Sequence, residues 1–197
     1  MRARPLHCRS VKVRTATAGL LDELDNLDRA VYDAVATSKT PRLDRVMGRL
    51  SDAANYSRLS LASAAALSLT RGEEGRKAAM LGLASVAATA TVVNLAIKPL
   101  GRRSRPDRSA HGVPRRRQVR MPRSRSLPSG HTAAAFAFAV GVSDVLPWEG
   151  AALHVLATAV GYSRVHTGVH YPGDVIVGGL TGTIISLLVI DKLNPPD

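Results

Sequence analysis

"AAMLGLASVAATATVVNLAI", residues 78–97, runs for 20 residues without a charged side chain. That is the length an α-helix needs to cross a hydrocarbon core of about 30 Å. Its many Ala, Gly, Ser and Thr residues suit close helix packing in lipid. Outward from it, 126–143 carries no charge apart from His131, and 175–190 carries none. Charged residues crowd into 1–56, 71–77 and 98–125. Such blocks mark a membrane protein, and the near-zero mean hydropathy averages them away. Five candidate spans follow, at about 57–70, 78–97, 131–146, 150–163 and 174–190. Three fall below the usual minimum of about 17 residues, so a soluble all-α protein with buried core helices is the alternative. The expected fold is all-α, an antiparallel bundle of about five transmembrane helices.

Upstream, "LLDELDNLDRAVYDAV" (20–35) sets Leu20, Leu24, Leu27, Val31 and Val35 on one helical face opposite a mostly acidic one. The spacing predicts an amphipathic N-terminal helix that cannot span a bilayer, ended by Thr40–Pro41. Residues 1–19 read as a disordered basic tail, with five basic residues in the first 14 and no acid before Asp22. That tail lacks the apolar region of a secretory signal. The single cysteine, Cys8, excludes an internal disulfide and argues against a thiolate zinc site. The net charge of +12 comes with only 4% aromatic residues and no nucleic-acid-reading motif. An anionic lipid or anionic substrate accounts for the charge at least as well, and no nucleic-acid partner is expected.

Alternation of the spans brings three polar clusters to one face: "KPLGRRSRP" (98–106), "PSGH" (128–131) and "SRVHTGVHYPGD" (163–174). Together they offer Lys98, Arg105 and Arg164 as cations, Ser129 as a hydroxyl, and His131 and His170 as acid, base or nucleophile. Gly130 opens a helix, whose unpaired amides favour an anion, and arginine forks match phosphate. The face reads as a phosphate cradle holding two histidines.

In order and spacing, these segments resemble the three-part signature of the type 2 phosphatidic acid phosphatase (PAP2) superfamily. The matching positions are Lys98, Arg105–Pro106, Pro128–Ser129–Gly130–His131, Ser163–Arg164, His170 and Asp174, all eleven that the signature specifies. The resemblance covers about 98–190, within a helical phosphatase domain over 20–197 whose motif-bearing core is 78–190. It implies a membrane lipid phosphatase that forms a phosphohistidine on His170, with Asp174 holding the other ring nitrogen. Spacing lets that pair meet on one helical turn if 170–174 is helical. His131 would protonate the leaving oxygen and then activate water. Lys98, Arg105, Ser129, Gly130 and Arg164 would bind the phosphate.

No cofactor and no metal is implied. Candidate substrates are polyprenyl phosphates or diphosphates, prenyl-linked sugar phosphates and phosphatidate-type lipids, and the setting is a bacterial cell membrane. The same signature also resembles vanadium haloperoxidases, and a non-enzymatic anionic-lipid-binding membrane protein is a third reading. Positive charge at 98–125 would place the site's face in the cytoplasm, whereas the resemblance implies an outward-facing site. Elsewhere, His166 reads as a pocket wall or packed histidine and His154 as a packed one. Arg115–Arg116–Arg117 read as solvated or lipid-facing, and Asp107 and Arg108 as neighbours of the first motif.

Overall fold

The computed structural model describes the backbone of residues 7–194 and the side chains of 19–194, and is all-helical among them. In chain order come α1 (His7–Thr37), α2 (Pro41–Ala53), α3 (Arg58–Thr70) and α4 (Gly72–Thr91). A π-helical stretch, Val92–Ile97, then leads into a last short turn, α5 (Lys98–Leu100). Pro99 supplies no N–H and crowds the carbonyl four residues back, which suits a widened turn just before it. After the long loop come α6 (Gly130–Ser143), α7 (Pro147–His166) and α8 (Pro172–Leu193).

Each of the five expected spans is helical over most of its length, the third only as far as Ser143. Two helices are long and apolar enough to cross a membrane, the 29-residue Gly72–Leu100 and the 22-residue Pro172–Leu193. α6 is apolar but only 14 residues long. α7 reaches 20 residues but carries Glu149, His154, Arg164 and His166. α6 is the hub, packed against α4, α7 and α8. Small residues let it approach closely: a Cβ on Gly141 would lie 2.8 Å from the Gly82 Cα. Phe138, Val142, Val86 and Leu67 fill the core between α3, α4 and α6.

α1 turns most of its apolar stripe away from the bundle. Leu20, Leu24, Leu27 and Val31 face outward, with Leu27 61% exposed, while Tyr32 is fully buried and Asp28 largely so. The inward partners are mixed: Tyr32 and Ala36 join an apolar cluster with Val113, Val165 and Tyr171, against which Val35 packs, while Arg103 and the start of α8 draw Asp28 in. α1 also takes in residues 7–19, read from the sequence as tail. Residues 1–6, and the side chains up to residue 18 including Cys8, lie outside the described residues.

The Arg-rich loop corrects a second expectation. Arg117 is neither solvated nor lipid-facing but fully buried. Its Nε donates to Asp44 at 2.6 Å, and its Nη atoms donate to the carbonyls of Val35, Ala36 and Ser38. Asp44, itself buried, also accepts from Arg116 Nε at 2.7 Å and pairs with His166 Nε2 at 3.0 Å. Burial alone would push the Asp44 carboxyl up; hydrogen bonds from Arg116, His166 and Arg117 outweigh it and hold it down to about 2. One carboxylate thus ties α2, the loop and α7 together. The expectation that His166 is packed holds, and His154 bonds within its own helix to the Gly150 carbonyl at 2.8 Å.

Candidate active site

The helix ends that carry the three motifs meet. Ser129 N–H donates to the Asp174 carbonyl at 2.9 Å, joining the starts of α6 and α8. Close packing continues there: a Cβ on Gly178 would lie 2.6 Å from the Ser129 carbonyl oxygen. Lys98 opens α5, and a Cβ on Gly130 would stand 3.2 Å from its Nζ. Only a glycine there lets the ammonium come so near the helix start.

Arg105 reaches across from the loop. Its Nη1 donates to the Val169 carbonyl at 2.8 Å and to His170 Nε2 at 3.1 Å, and its Nε donates to the Ser124 carbonyl at 2.8 Å. Lys98 Nζ donates to Ser124 Oγ at 3.3 Å. Arg164 is buried at the end of α7, where Nη1 donates to Ser51 Oγ at 2.6 Å and to its carbonyl at 3.1 Å. Its Nε is buried and has no protein partner. Among the described residues none of these three cations has a carboxylate within ion-pair distance, whereas Arg116 and Arg117 each have one and Arg103 has three. Ser129 is buried, its Oγ accepting from Thr132 at 2.9 Å.

The chain after α7 folds back so that the N–H groups of Val169 and His170 both donate to the Arg164 carbonyl, at 3.0 and 3.2 Å. Gly168 makes that turn at φ +73°, a conformation that disfavours any side chain. His170 then stands before α8 rather than on it, so 170–174 is not the helical turn that the spacing suggested. Instead Asp174 reaches back in a capping arrangement, accepting from Tyr171 N–H at 3.0 Å. Pro172 occupies the first helical position, where its missing N–H costs nothing. From there Asp174 Oδ2 accepts from His170 Nδ1 at 3.3 Å and from Ser126 Oγ. Burial drives the His170 imidazole down to about 4; the Asp174 hydrogen bond opposes this, and Arg105 and Arg164 add to it.

His131, in the first turn of α6, pairs through Nε2 with Asn55 Oδ1 at 2.9 Å. A cavity of about 200 Å³ opens beside it between α3, α4, α6 and α7. Lys98, Gly130 and His131 form its polar end, and Val93, Phe138, Leu156 and Val160 are among its apolar walls. Beside Asn55, Tyr56 (φ 56°) and Ser57 (φ 54°) are two consecutive non-glycine residues in the left-handed region, a strained turn at the cavity's edge.

All eight expected site residues therefore gather at one end of the bundle. Sequence reasoning missed Asn55 behind His131, Ser51 behind Arg164, and Arg103 and Ser126 on Asp174. Arg103 carried one signal, its place inside the first motif, but no spacing rule marks the others.

A family model described as "PAP2 superfamily" matches residues 79–194. The chain belongs to the PAP2 superfamily. The decaprenylphosphoryl-5-phosphoribose phosphatase of Mycobacterium tuberculosis is 35% identical over 133 residues, 66% of this chain and 68% of that protein. An undecaprenyl-diphosphatase of Sulfolobus acidocaldarius is 41% identical over 70 residues, about a third of each chain (35% and 34%). Among solved structures, LpxE of Aquifex aeolicus aligns with a TM-score of 0.67 at 25% identity, over 84% of this chain and 95% of that one. The transmembrane PAP2-type phosphatidylglycerolphosphate phosphatase of Bacillus subtilis aligns with a TM-score of 0.63 at 25% identity, over 87% and 88%. Membership makes the chain one of a family of lipid phosphatases.

Proposed function

We infer that the chain is an integral membrane phosphatase that hydrolyses a prenyl-linked phosphate or diphosphate through a phosphohistidine on His170. The observation that carries this is the set of Lys98, Arg105 and Arg164 around two imidazoles, with no carboxylate to neutralise them among the described residues. A phosphoryl group supplies the matching charge, and its oxygens match the arginine forks and the unpartnered Arg164 Nε.

His170 Nε2 attacks phosphorus with its lone pair while Nδ1–H stays on Asp174. Arg105, which covers that lone pair in the free protein, turns onto the phosphoryl oxygens as the substrate enters. The bond from phosphorus to the leaving oxygen breaks, and His131, entering the step as an imidazolium, gives that oxygen a ring proton and becomes neutral. In the second half His131 takes a proton from water as the water oxygen attacks phosphorus. The P–N bond breaks and inorganic phosphate departs. Lys98, Arg164 and the Gly130 amide hold the charge on the equatorial oxygens, and Ser129 completes the cradle. These side chains do the charge stabilisation without a metal.

The names of the relatives support the substrate class: one is a decaprenylphosphoryl-5-phosphoribose phosphatase, another an undecaprenyl-diphosphatase. The apolar cavity beside Lys98 and His131 suits a chain entering from the lipid side. The two apolar helices and the outward-facing stripe of α1 support membrane residence, in a bacterial cell membrane. The test is phosphate release by purified protein from a panel of prenyl and glycerolipid phosphates, with His170→Ala as control. Release from no prenyl phosphate, or full release by His170→Ala, overturns the reading.

A further inference from the structure

Asp174 is held at both of its oxygens. Oδ2 serves His170, Ser126 and the Tyr171 amide. Oδ1 takes Nη1 of Arg103 at 3.0 Å. Arg103 is not one of the signature positions, and its other fork atom does not face the site. Nη2 donates to Asp28 at 2.5 Å and to Asp25 at 3.1 Å, both on α1. Its Cζ lies 4.4 Å from the ring centroid of Tyr171, the residue after His170, a cation–π contact that fixes the guanidinium plane.

Asp28 makes a second bond in the same place. Its Oδ1 accepts from Gly173 N–H at 2.6 Å, at the start of α8. A Cβ on Gly173 would come within 3.1 Å of Asp28 Oδ2, so the glycine gives the carboxylate its access. α1 thus grips both the guanidinium that holds Asp174 and the turn from which Asp174 projects. Asp25 and Asp28 lie outside residues 79–194, which the family model covers.

We propose that Arg103 is a positioning residue that clamps the Asp174 carboxylate against His170, and that Asp28 of α1 sets Arg103 in place. The first helix is then part of the catalytic assembly. A carboxylate bonded at one oxygen can rotate away from its imidazole; one bonded at both keeps Oδ2 on Nδ1 and so keeps the lone pair on Nε2. This rests on the reading of His170 as nucleophile, and it separates from that reading by test.

The full chain is purified in detergent as wild type, Arg103→Gln, Arg103→Lys, Asp28→Asn and the Asp28→Asn/Arg103→Gln double variant, with farnesyl diphosphate as probe. Arg103→Gln should lower kcat by roughly 10–100-fold, the range for losing a group that orients a functional imidazole, with KM unchanged. Arg103→Lys should recover part of the loss. Asp28→Asn should lower kcat by a smaller factor, and the double variant should be no slower than Arg103→Gln alone, because both act through one contact. In proton NMR the downfield Nδ1–H signal of His170 should be present in wild type and Arg103→Lys and lost in Arg103→Gln.

Wild-type kcat in Arg103→Gln, losses that multiply in the double variant, or NMR spectra that match between wild type and Arg103→Gln would each overturn the clamp. If Arg103→Gln does not fold, Asp28→Asn decides: an unchanged kcat and Nδ1–H signal there overturn it. If wild type releases no phosphate, the proposed function falls and the NMR comparison still decides the clamp.

Discussion

Nη1 of Arg105 stands 3.1 Å from Nε2 of His170. A guanidinium can only donate, so the Nε2 lone pair must point at it and the ring proton must sit on Nδ1, facing Asp174. The free protein therefore holds the imidazole in the tautomer that nucleophilic attack requires.

Replacing the proposed nucleophile, His170, separates chemistry from binding. His170→Ala should release no phosphate while still binding lipid phosphate, and wild-type protein quenched during turnover should carry an acid-labile phosphoryl label that the variant lacks. A label that persists in His170→Ala places the covalent intermediate elsewhere.

Arg164→Ala should slow turnover by roughly 10²–10³-fold, as for a lost transition-state donor. Its fork is fixed by Ser51, so the cost should appear mainly in kcat. A change confined to KM would make Arg164 a ground-state binding group only.

His170 should titrate near 4 rather than near 6.5 when followed by NMR in the free protein. Asp174 pulls this value upward, so Asp174→Asn should move it lower still. The sign for stability follows. The unfolded chain takes up the proton first as pH falls below 6.5, so this group's share of stability is lost between 6.5 and about 4. A wild-type value at 6.5 contradicts the buried environment.

Asp44 makes the opposite kind of contribution. Its folded value near 2 lies below the ordinary 3.8, so its stabilisation is present above pH 3.8 and lost as pH falls towards 2. Asp44→Ala leaves Arg117 and His166 buried without their acceptor and should cost roughly 3–5 kcal/mol in denaturant unfolding. An unchanged midpoint would show that water or backbone carbonyls satisfy those groups on their own.

Phosphate release should survive excess EDTA, because the proposed mechanism gives Lys98, Arg105 and Arg164 the work assigned to metal ions in other phosphoryl-transfer sites. Activity lost in EDTA and restored by Mg²⁺ refutes metal independence.

The sequence made the helices and the motif residues legible because both leave local marks: uncharged runs about 20 residues long, and polar groups at fixed intervals beside them. Asp44 shows why the remainder was hidden. It bonds Arg116 and Arg117 across 72 and 73 positions and His166 across 122. No periodicity records such a contact, so the arginine run looked like any solvated one. α1 shows a different limit. Amphipathicity alone does not say which face turns inward: Leu20, Leu24, Leu27 and Val31 lie outside while Val35 packs inward, and contacts with Arg103, the α8 terminus and the Tyr32 cluster decide that. The His170–Asp174 pair was legible as a pair and its geometry only as a condition, since a four-residue interval does not distinguish a helical turn from a cap.

Asp28 and Gly173 are hydrogen-bonded across 145 positions. During synthesis the first of them emerges long before the second, so this end of the bundle cannot close until the start of α8 has left the ribosome. A nascent chain interrupted before its final helix would already display Lys98, Arg105, Arg164 and both imidazoles, yet lack the Gly173 amide and the Asp174 carboxylate that hold His170 in place. On the proposed reading, the phosphate-binding cations are made before the groups that orient the attacking imidazole.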